Sequence, residues 1–363
     1  MSWRCGIIGL PNAGKSTIFN ALTSGRAEVA SYPFSTISPN TGMVPVPDER
    51  LTALGALLNP ERLTPAVIEF ADVAGLIEGA SRGEGLGNQF LGHIREVDLL
   101  VHVVRCFEAP GCPHPLSGLD PVRDVEVVDT ELLLADLEIL GRQRVKLEKR
   151  GKGGDKTAAP ALTVLARVEA GLNNGKWARD LKLSLGDLEH LKATPLLTLK
   201  PYLFVANLSE AEYPDGPHYT ALQELAAGRG APVIPILGDL EAELQELPPE
   251  ERGEFLAGAG LTEPGIHRLI RESYRLLGLV TFYTIVGPEV RAWQVPAGTP
   301  APRAAGRVHS DMEKGFIRAE VMSFHDLARM GAPARVKEAG RLHVEGRDYL
   351  VQDGEILLFR FQR

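Results

Sequence analysis

The stretch Gly9-Leu10-Pro11-Asn12-Ala13-Gly14-Lys15-Ser16 decides the fold. It fills every fixed position of G-x-x-x-x-G-K-S, a loop whose glycines let backbone N–H groups close around the phosphates of a nucleotide. The flanks have the required character. Arg4-Cys5-Gly6-Ile7-Ile8 reads as a buried strand, and Thr17-Ile18-Phe19-Asn20-Ala21-Leu22 opens a helix whose N-terminus faces the loop. Asn12, Ala13, Gly14, Lys15, Ser16 and Thr17 are the expected phosphate-contacting set. Lys15 reaches the β- and γ-phosphates, and the Ser16 hydroxyl ligates Mg²⁺.

Working outward, the chain falls into three textures. Up to about residue 125, apolar runs alternate with glycine-rich loops. Val67-Ile68-Glu69-Phe70-Ala71-Asp72 and Leu99-Leu100-Val101-His102-Val103-Val104-Arg105 read as parallel strands covered on both faces. Residues 126–199 carry helical periodicity, broken by the polar run Gly151 to Pro160, which predicts an inserted helical hairpin with coiled-coil character. The α/β pattern resumes near residue 200 with Tyr202-Leu203-Phe204-Val205-Ala206-Asn207 and Pro232-Val233-Ile234-Pro235-Ile236. The expected domains are therefore an α/β P-loop NTPase domain over 1–125 and 200–278, the hairpin over 126–199, and a strand-rich α+β module over 279–363.

Further chemistry lies on loops. Asp72-Val73-Ala74-Gly75 follows a strong strand about 60 residues beyond the P-loop, where the Asp holds a Mg²⁺-bound water and the Gly75 N–H meets the γ-phosphate. Between the two motifs, Thr36 of Tyr32-Pro33-Phe34-Ser35-Thr36 is the candidate for a hydroxyl added to Mg²⁺; Thr41 is set aside because it abuts Gly42 at the next strand. The segment Gly79 to Gly92 is glycine-rich, as a switch segment must be.

A guanine-specific site uses Asn-Lys-x-Asp, with the Asp bonded to guanine N1–H and N2–H₂. Here the strand end reads Asn207-Leu208-Ser209-Glu210, lacking the lysine and carrying a longer carboxylate. Misplacing that carboxylate removes most of guanine's advantage. The Asn207 amide is expected to meet adenine, and Leu237 and Gly238 to close over the base. Leu76, which follows Gly75, can neither donate nor accept a hydrogen bond to orient an attacking water, so turnover should be slow. Two replacements are open: Asn12 helping to hold K⁺, or His114 swinging in to position water.

These residues together resemble the translation-factor-related P-loop GTPases of the Obg-like group, and within it the YchF (Obg-like ATPase) subfamily. The resemblance covers essentially the whole chain, including Tyr32 to Thr36, Gly83-Glu84-Gly85-Leu86-Gly87-Asn88-Gln89-Phe90, and a C-terminal module resembling a TGS domain at His309-Ser310-Asp311-Met312-Glu313-Lys314-Gly315-Phe316-Ile317-Arg318. It implies ATP bound at least as well as GTP, with the Leu208 backbone on the base. It also implies a ribosome or structured-RNA partner held between hairpin and C-terminal module.

The composition agrees with a cytoplasmic protein. Cys5, Cys106 and Cys112 are an unpatterned set without metal-ligand spacing, and no apolar run reaches membrane-spanning length. The net charge of −8 argues against coating DNA, so neither DNA nor membrane is an expected partner. Residues 280–363 hold twelve basic and ten acidic side chains, a slight local excess of positive charge that suits an RNA backbone. Two other readings stay open: a conventional GTP-specific GTPase, and an RNA- or ribosome-binding factor whose hydrolysis is incidental.

Overall fold

The computed structural model describes residues 3–23, 41–73, 92–109 and 111–362. Along the chain run β1 (Arg4–Ile8), α1 (Lys15–Thr23), β2 (Thr41–Pro45), α2 (Glu49–Leu58), β3 (Arg62–Thr64), β4 (Val67–Asp72) and β5 (Leu99–Cys106). Two long helices follow, α3 (Pro121–Lys152) and α4 (Ala158–Asn173), then α5 (Leu185–Leu191), β6 (Tyr202–Leu208), α6 (Pro217–Gly228) and β7 (Val233–Leu237). Next come α7 (Gly238–Glu246), α8 (Pro249–Gly258), α9 (Gly265–Leu276), β8 (Leu279–Val286) and β9 (Glu289–Pro296). The last part holds α10 (Ala301–Val308), β10 (Phe316–Ser323), β11 (His343–Glu345) and β12 (Glu355–Phe361), with short helices between.

These elements gather into two compact units, Met1–Gly42 with Glu69–Leu269, and Met43–Ile68 with Ile270–Arg363. In the first, the sheet order is β2-β4-β1-β5-β6-β7, with the chain passing between the units inside β2 and β4. The pairs β1–β4, β1–β5, β5–β6 and β6–β7 are all parallel. Every residue of β5 and β6 is buried, which is what unbroken apolar runs predict for central strands covered on both faces. The core here is built on Ile8, Val104, Val128, Leu132, Phe204 and Leu222.

The helical hairpin forms as its sequence predicts, within this first unit. Asp120 caps α3 by accepting from the Arg123 N–H, and Pro121 sits where its missing N–H costs nothing. Leu140 and Leu147 of α3 pack on Ala161, Val164, Leu165 and Val168 of α4. At its base, buried Asp136 accepts from the N–H groups of Leu197 and Thr198 and from the Thr198 hydroxyl. Those bonds satisfy both carboxylate oxygens, although burial still raises the Asp136 pKa.

The second unit departs from the division read in the sequence. The C-terminal module was expected to begin at residue 279; the unit also takes in residues 43–68, from the stretch between the P-loop and Asp72. Its sheet runs β11-β10-β12-β8-β9-β3, so an early three-residue strand pairs in parallel with β9. Gln294 bonds both the N–H and the carbonyl of Val67. Asp48 caps α2 and accepts from the Tyr283 hydroxyl, while Arg50 pairs with Asp353 at 2.7 Å. The cause of the missed boundary is plain: non-local pairing leaves no local compositional mark. Phe282, Val295, Ala304, Phe316 and Phe359 form this unit's core.

Leu54, fully buried in α2, tests this assignment. Leu54→Ala should destabilise the second unit by about 2–5 kcal/mol. In hydrogen exchange, β8 and β9 should lose protection, with β1 and β5 of the first unit unaffected.

Candidate nucleotide-binding site

The loop after β1 takes a shape that its glycines permit. Gly9 has φ +146°, and a Cβ there would lie 2.3 Å from the Val103 carbonyl oxygen. Gly14 has φ +90°, and a Cβ would lie 2.1 Å from Asn207 Nδ2. Asn12 is also left-handed, at φ +63°, a conformation asparagine tolerates better than most residues. The Ile18 N–H then bonds the Gly14 carbonyl at 3.0 Å and α1 begins. The N–H groups of its first turn lack partners within the helix, which makes this end suited to an anion.

Lys15 opens α1 and is buried, with Nζ donating to the Leu10 carbonyl at 2.7 Å across the loop. Burial pulls its pKa down to about 8, against the opposing pull of Asp72. The next residue points to the strand edge instead: Ser16 Oγ donates to Asp72 Oδ2 at 2.8 Å. Asp72 lies opposite Ile7 in the β1–β4 ladder, at the end of β4. A hydroxyl and a carboxylate meeting beside the phosphate loop are hard oxygen donors of the kind Mg²⁺ takes, one directly and one through water. The donor set fits the metal.

The base side is carried by the ends of β6 and β7. Asn207 is buried, and its Nδ2 donates to the Ala13 carbonyl at 3.0 Å. A Cβ on Gly238 would stand 2.7 Å from Asn207 Oδ1, so the amide fills the space between the P-loop and the start of α7. This changes the part expected of Asn207. Its amide nitrogen is committed to the loop rather than free for adenine. Leu208 pairs with Leu237 in the β6–β7 ladder, and Gly238 follows at the start of α7, so these three come together. Glu210, past the strand end, is exposed.

His114 does not lie free. Its Nδ1 accepts from the Leu116 N–H at 3.1 Å and its Nε2 lies 2.7 Å from Asp124 Oδ2. Arg123 donates to the other Asp124 oxygen and to the carbonyls of Ser117 and Gly118. Asn12 Nδ2 donates to the Pro113 carbonyl at 3.0 Å, tying the His114 loop to the P-loop. The two residues weighed as alternatives for water positioning thus belong to neighbouring parts of one network. Asp124 and Arg123 were missed because an acidic residue in a helix's first turn looks like ordinary dipole compensation. Thr36, Gly75, Leu76 and the glycine-rich stretch to Gly87 lie outside the described residues.

A largely parallel sheet, a phosphate loop opening onto a helix, and a hydroxyl–carboxylate pair beside it define a P-loop nucleoside triphosphatase. Residues 4–137 match the family model described as 50S ribosome-binding GTPase, and residues 279–362 match the YchF-GTPase_C model, described as a protein of unknown function (DUF933). The chain is 48% identical over 361 residues to the "Ribosome-binding ATPase YchF" of Haemophilus influenzae, covering 99% of each chain. It is 45% identical over 364 residues to the protein of the same name from Bacillus subtilis, covering 99% of this chain and all of that one. The structure of the Schizosaccharomyces pombe YchF GTPase superposes with a TM-score of 0.90 at 32% identity, over 99% of this chain and 98% of that one. The chain belongs to the YchF family.

Two outcomes follow from the loop geometry. Gly14→Ala forces Asn207 aside, and nucleotide affinity should fall by at least about 100-fold in an equilibrium titration. A triphosphate restores charge to Lys15, so binding above about pH 8 should take up a proton. Calorimetry at pH 8.5 in buffers of different ionisation enthalpy should read that uptake, and Lys15→Met should abolish it.

Proposed function

We propose that the chain is a Mg²⁺-dependent ATPase that accepts GTP, turns over slowly, and acts as a nucleotide-dependent switch on the ribosome in the cytoplasm. The observation that carries the choice of base is the β6 end. With Leu208 in place of a lysine and Glu210 exposed, no carboxylate is held for guanine N1–H and N2–H₂. Adenine is then read by backbone groups around Leu208, Leu237 and Gly238. Relatives named ribosome-binding ATPase support both the nucleotide and the partner.

In this reading the backbone from Asn12 to Thr17 holds the phosphates, and Lys15 lies over the β- and γ-phosphates. Ser16, Thr36 and, through water, Asp72 would hold Mg²⁺, which would supply neutralising charge at the phosphate oxygens. The Gly75 N–H bonds the γ-phosphate. Leu76 has no group that orients water, which leaves that task to His114 or to K⁺ near Asn12. Because both His114 nitrogens are engaged, the first route requires the Asp124 contact to break. The second would use Asn12 Oδ1, since Nδ2 is bonded to Pro113.

Side-by-side titration of ATP and GTP tests the base reading. Affinities within about tenfold of each other are expected, and a GTP preference of several orders of magnitude would establish a conventional GTPase. Ser16→Ala should weaken Mg²⁺-nucleotide binding by roughly tenfold. His114→Ala should cut single-turnover hydrolysis at unchanged ATP affinity if His114 positions water. Full activity in that variant, together with faster turnover in K⁺ than in Na⁺, would assign the task to the cation. Acceleration by ribosomes distinguishes a regulated switch from a binding factor whose hydrolysis is incidental.

A further inference from the structure

His114 stands in a stiff bracket. In Pro113-His114-Pro115 each proline fixes its own φ, and Pro115 also confines His114 to extended backbone. Three tethers pin this loop. Asn12 Nδ2 donates to the Pro113 carbonyl at 3.0 Å, and Arg123 donates to the carbonyls of Ser117 and Gly118 at 2.7 and 2.8 Å. Those bonds hold the backbone. The third, from the imidazole to Asp124, holds the ring itself.

That ring has no nitrogen to spare. Leu116 presents both its N–H and its carbonyl oxygen at 3.1 Å from Nδ1. A neutral ring accepts from the N–H, and a protonated ring donates to the carbonyl. In both states Nε2 carries a proton and donates it to Asp124 Oδ2 at 2.7 Å. The two side chains are only 9% and 5% exposed, so this bond is charge-assisted and shielded, whereas a water offers Nε2 a neutral partner. Arg123 donates to Asp124 Oδ1 at 3.0 Å, which fixes the carboxylate in place.

From this geometry we propose that Asp124, braced by Arg123, is a positioning residue that latches His114 in an idle orientation, so that hydrolysis waits on the ring leaving the carboxylate. It rests on the reading in which His114 orients the attacking water, and it names what regulates that step. Slow turnover then has two sources: Leu76 offers water no bond, and the bonding capacity of His114 is already used. The bracket has pivots. Gly111 and Gly118 lie on either side of it, and among the described residues a Cβ on either would meet nothing within 4 Å. Loosening the carboxylate's hold therefore frees a group that can turn.

Single-turnover hydrolysis and equilibrium ATP affinity of the full chain, Asp124→Asn, His114→Ala and the double variant test the latch. The asparagine oxygen still accepts from Nε2 but without the charge, so Asp124→Asn should hydrolyse ATP about tenfold faster at unchanged affinity. His114→Ala should be slow, and the double variant equally slow. A staple that merely holds the loop would give no gain that vanishes with the imidazole. If His114→Ala is slow while Asp124→Asn is no faster than wild type, the latch alone is overturned, as it is if the gain persists in the double variant. Full activity in His114→Ala would remove the water-positioning reading and the latch with it. Nuclear magnetic resonance of isotope-labelled histidine nitrogens in the unaltered protein keeps the test independent of how Asp124→Asn folds. Without nucleotide, the signal that His114→Ala lacks should show Nε2 protonated and its proton slow to exchange with water. A bare or rapidly exchanging Nε2 would overturn the proposal.

Discussion

One buried amide holds the nucleotide site in shape. Asn207, at the end of β6, donates to the carbonyl of Ala13, 194 residues earlier, and occupies the space that side chains on Gly14 and Gly238 would need. A loop built from left-handed residues has little shape of its own, because glycine pays the largest entropy cost on ordering. The Asn207 bond is buried, so breaking it would leave a polar group unsatisfied, and the loop is fixed by that penalty. Lys15, Ser16 and the first turn of α1 inherit their positions from it.

A second network extends from the same loop. Asn12 reaches the Pro113 carbonyl, His114 is bonded to Asp124, and Arg123 binds Asp124 and the two carbonyls that follow the His114 loop. Together these bonds connect the phosphate loop to the first turn of α3. Lys15 sits between these networks, its ammonium partly desolvated and held on the Leu10 carbonyl. Burial of that charge strengthens its attraction for an incoming anion, since fewer waters screen it.

Much of this was legible in the amino-acid order. The P-loop, the central strands and the two-helix insertion each leave a local mark: a glycine spacing, an unbroken apolar run, a helical period. The site's hydroxyl and carboxylate were legible for the same reason, because Ser16 and Asp72 sit at fixed offsets from elements that announce themselves. What escaped was always non-local. Residues 43–68 look like more of the first domain, yet their three-residue strand pairs with β9 and their helix cap is bonded to Tyr283. Asn207 was read as a base contact, and nothing in its own neighbourhood indicates that its Nδ2 also donates to Ala13.

The sequence by itself determined that a triphosphate-binding loop joins a buried strand to a helix, and that Leu208 and Glu210 stand where a guanine-specific site carries a lysine and an aspartate. Both are properties of side-chain identity at consecutive positions. Only the tertiary structure decided which polar groups are already satisfied and which remain to be used. That depends on chain segments separated by tens to hundreds of residues meeting where water is excluded, and there each donor must find its acceptor within the fold.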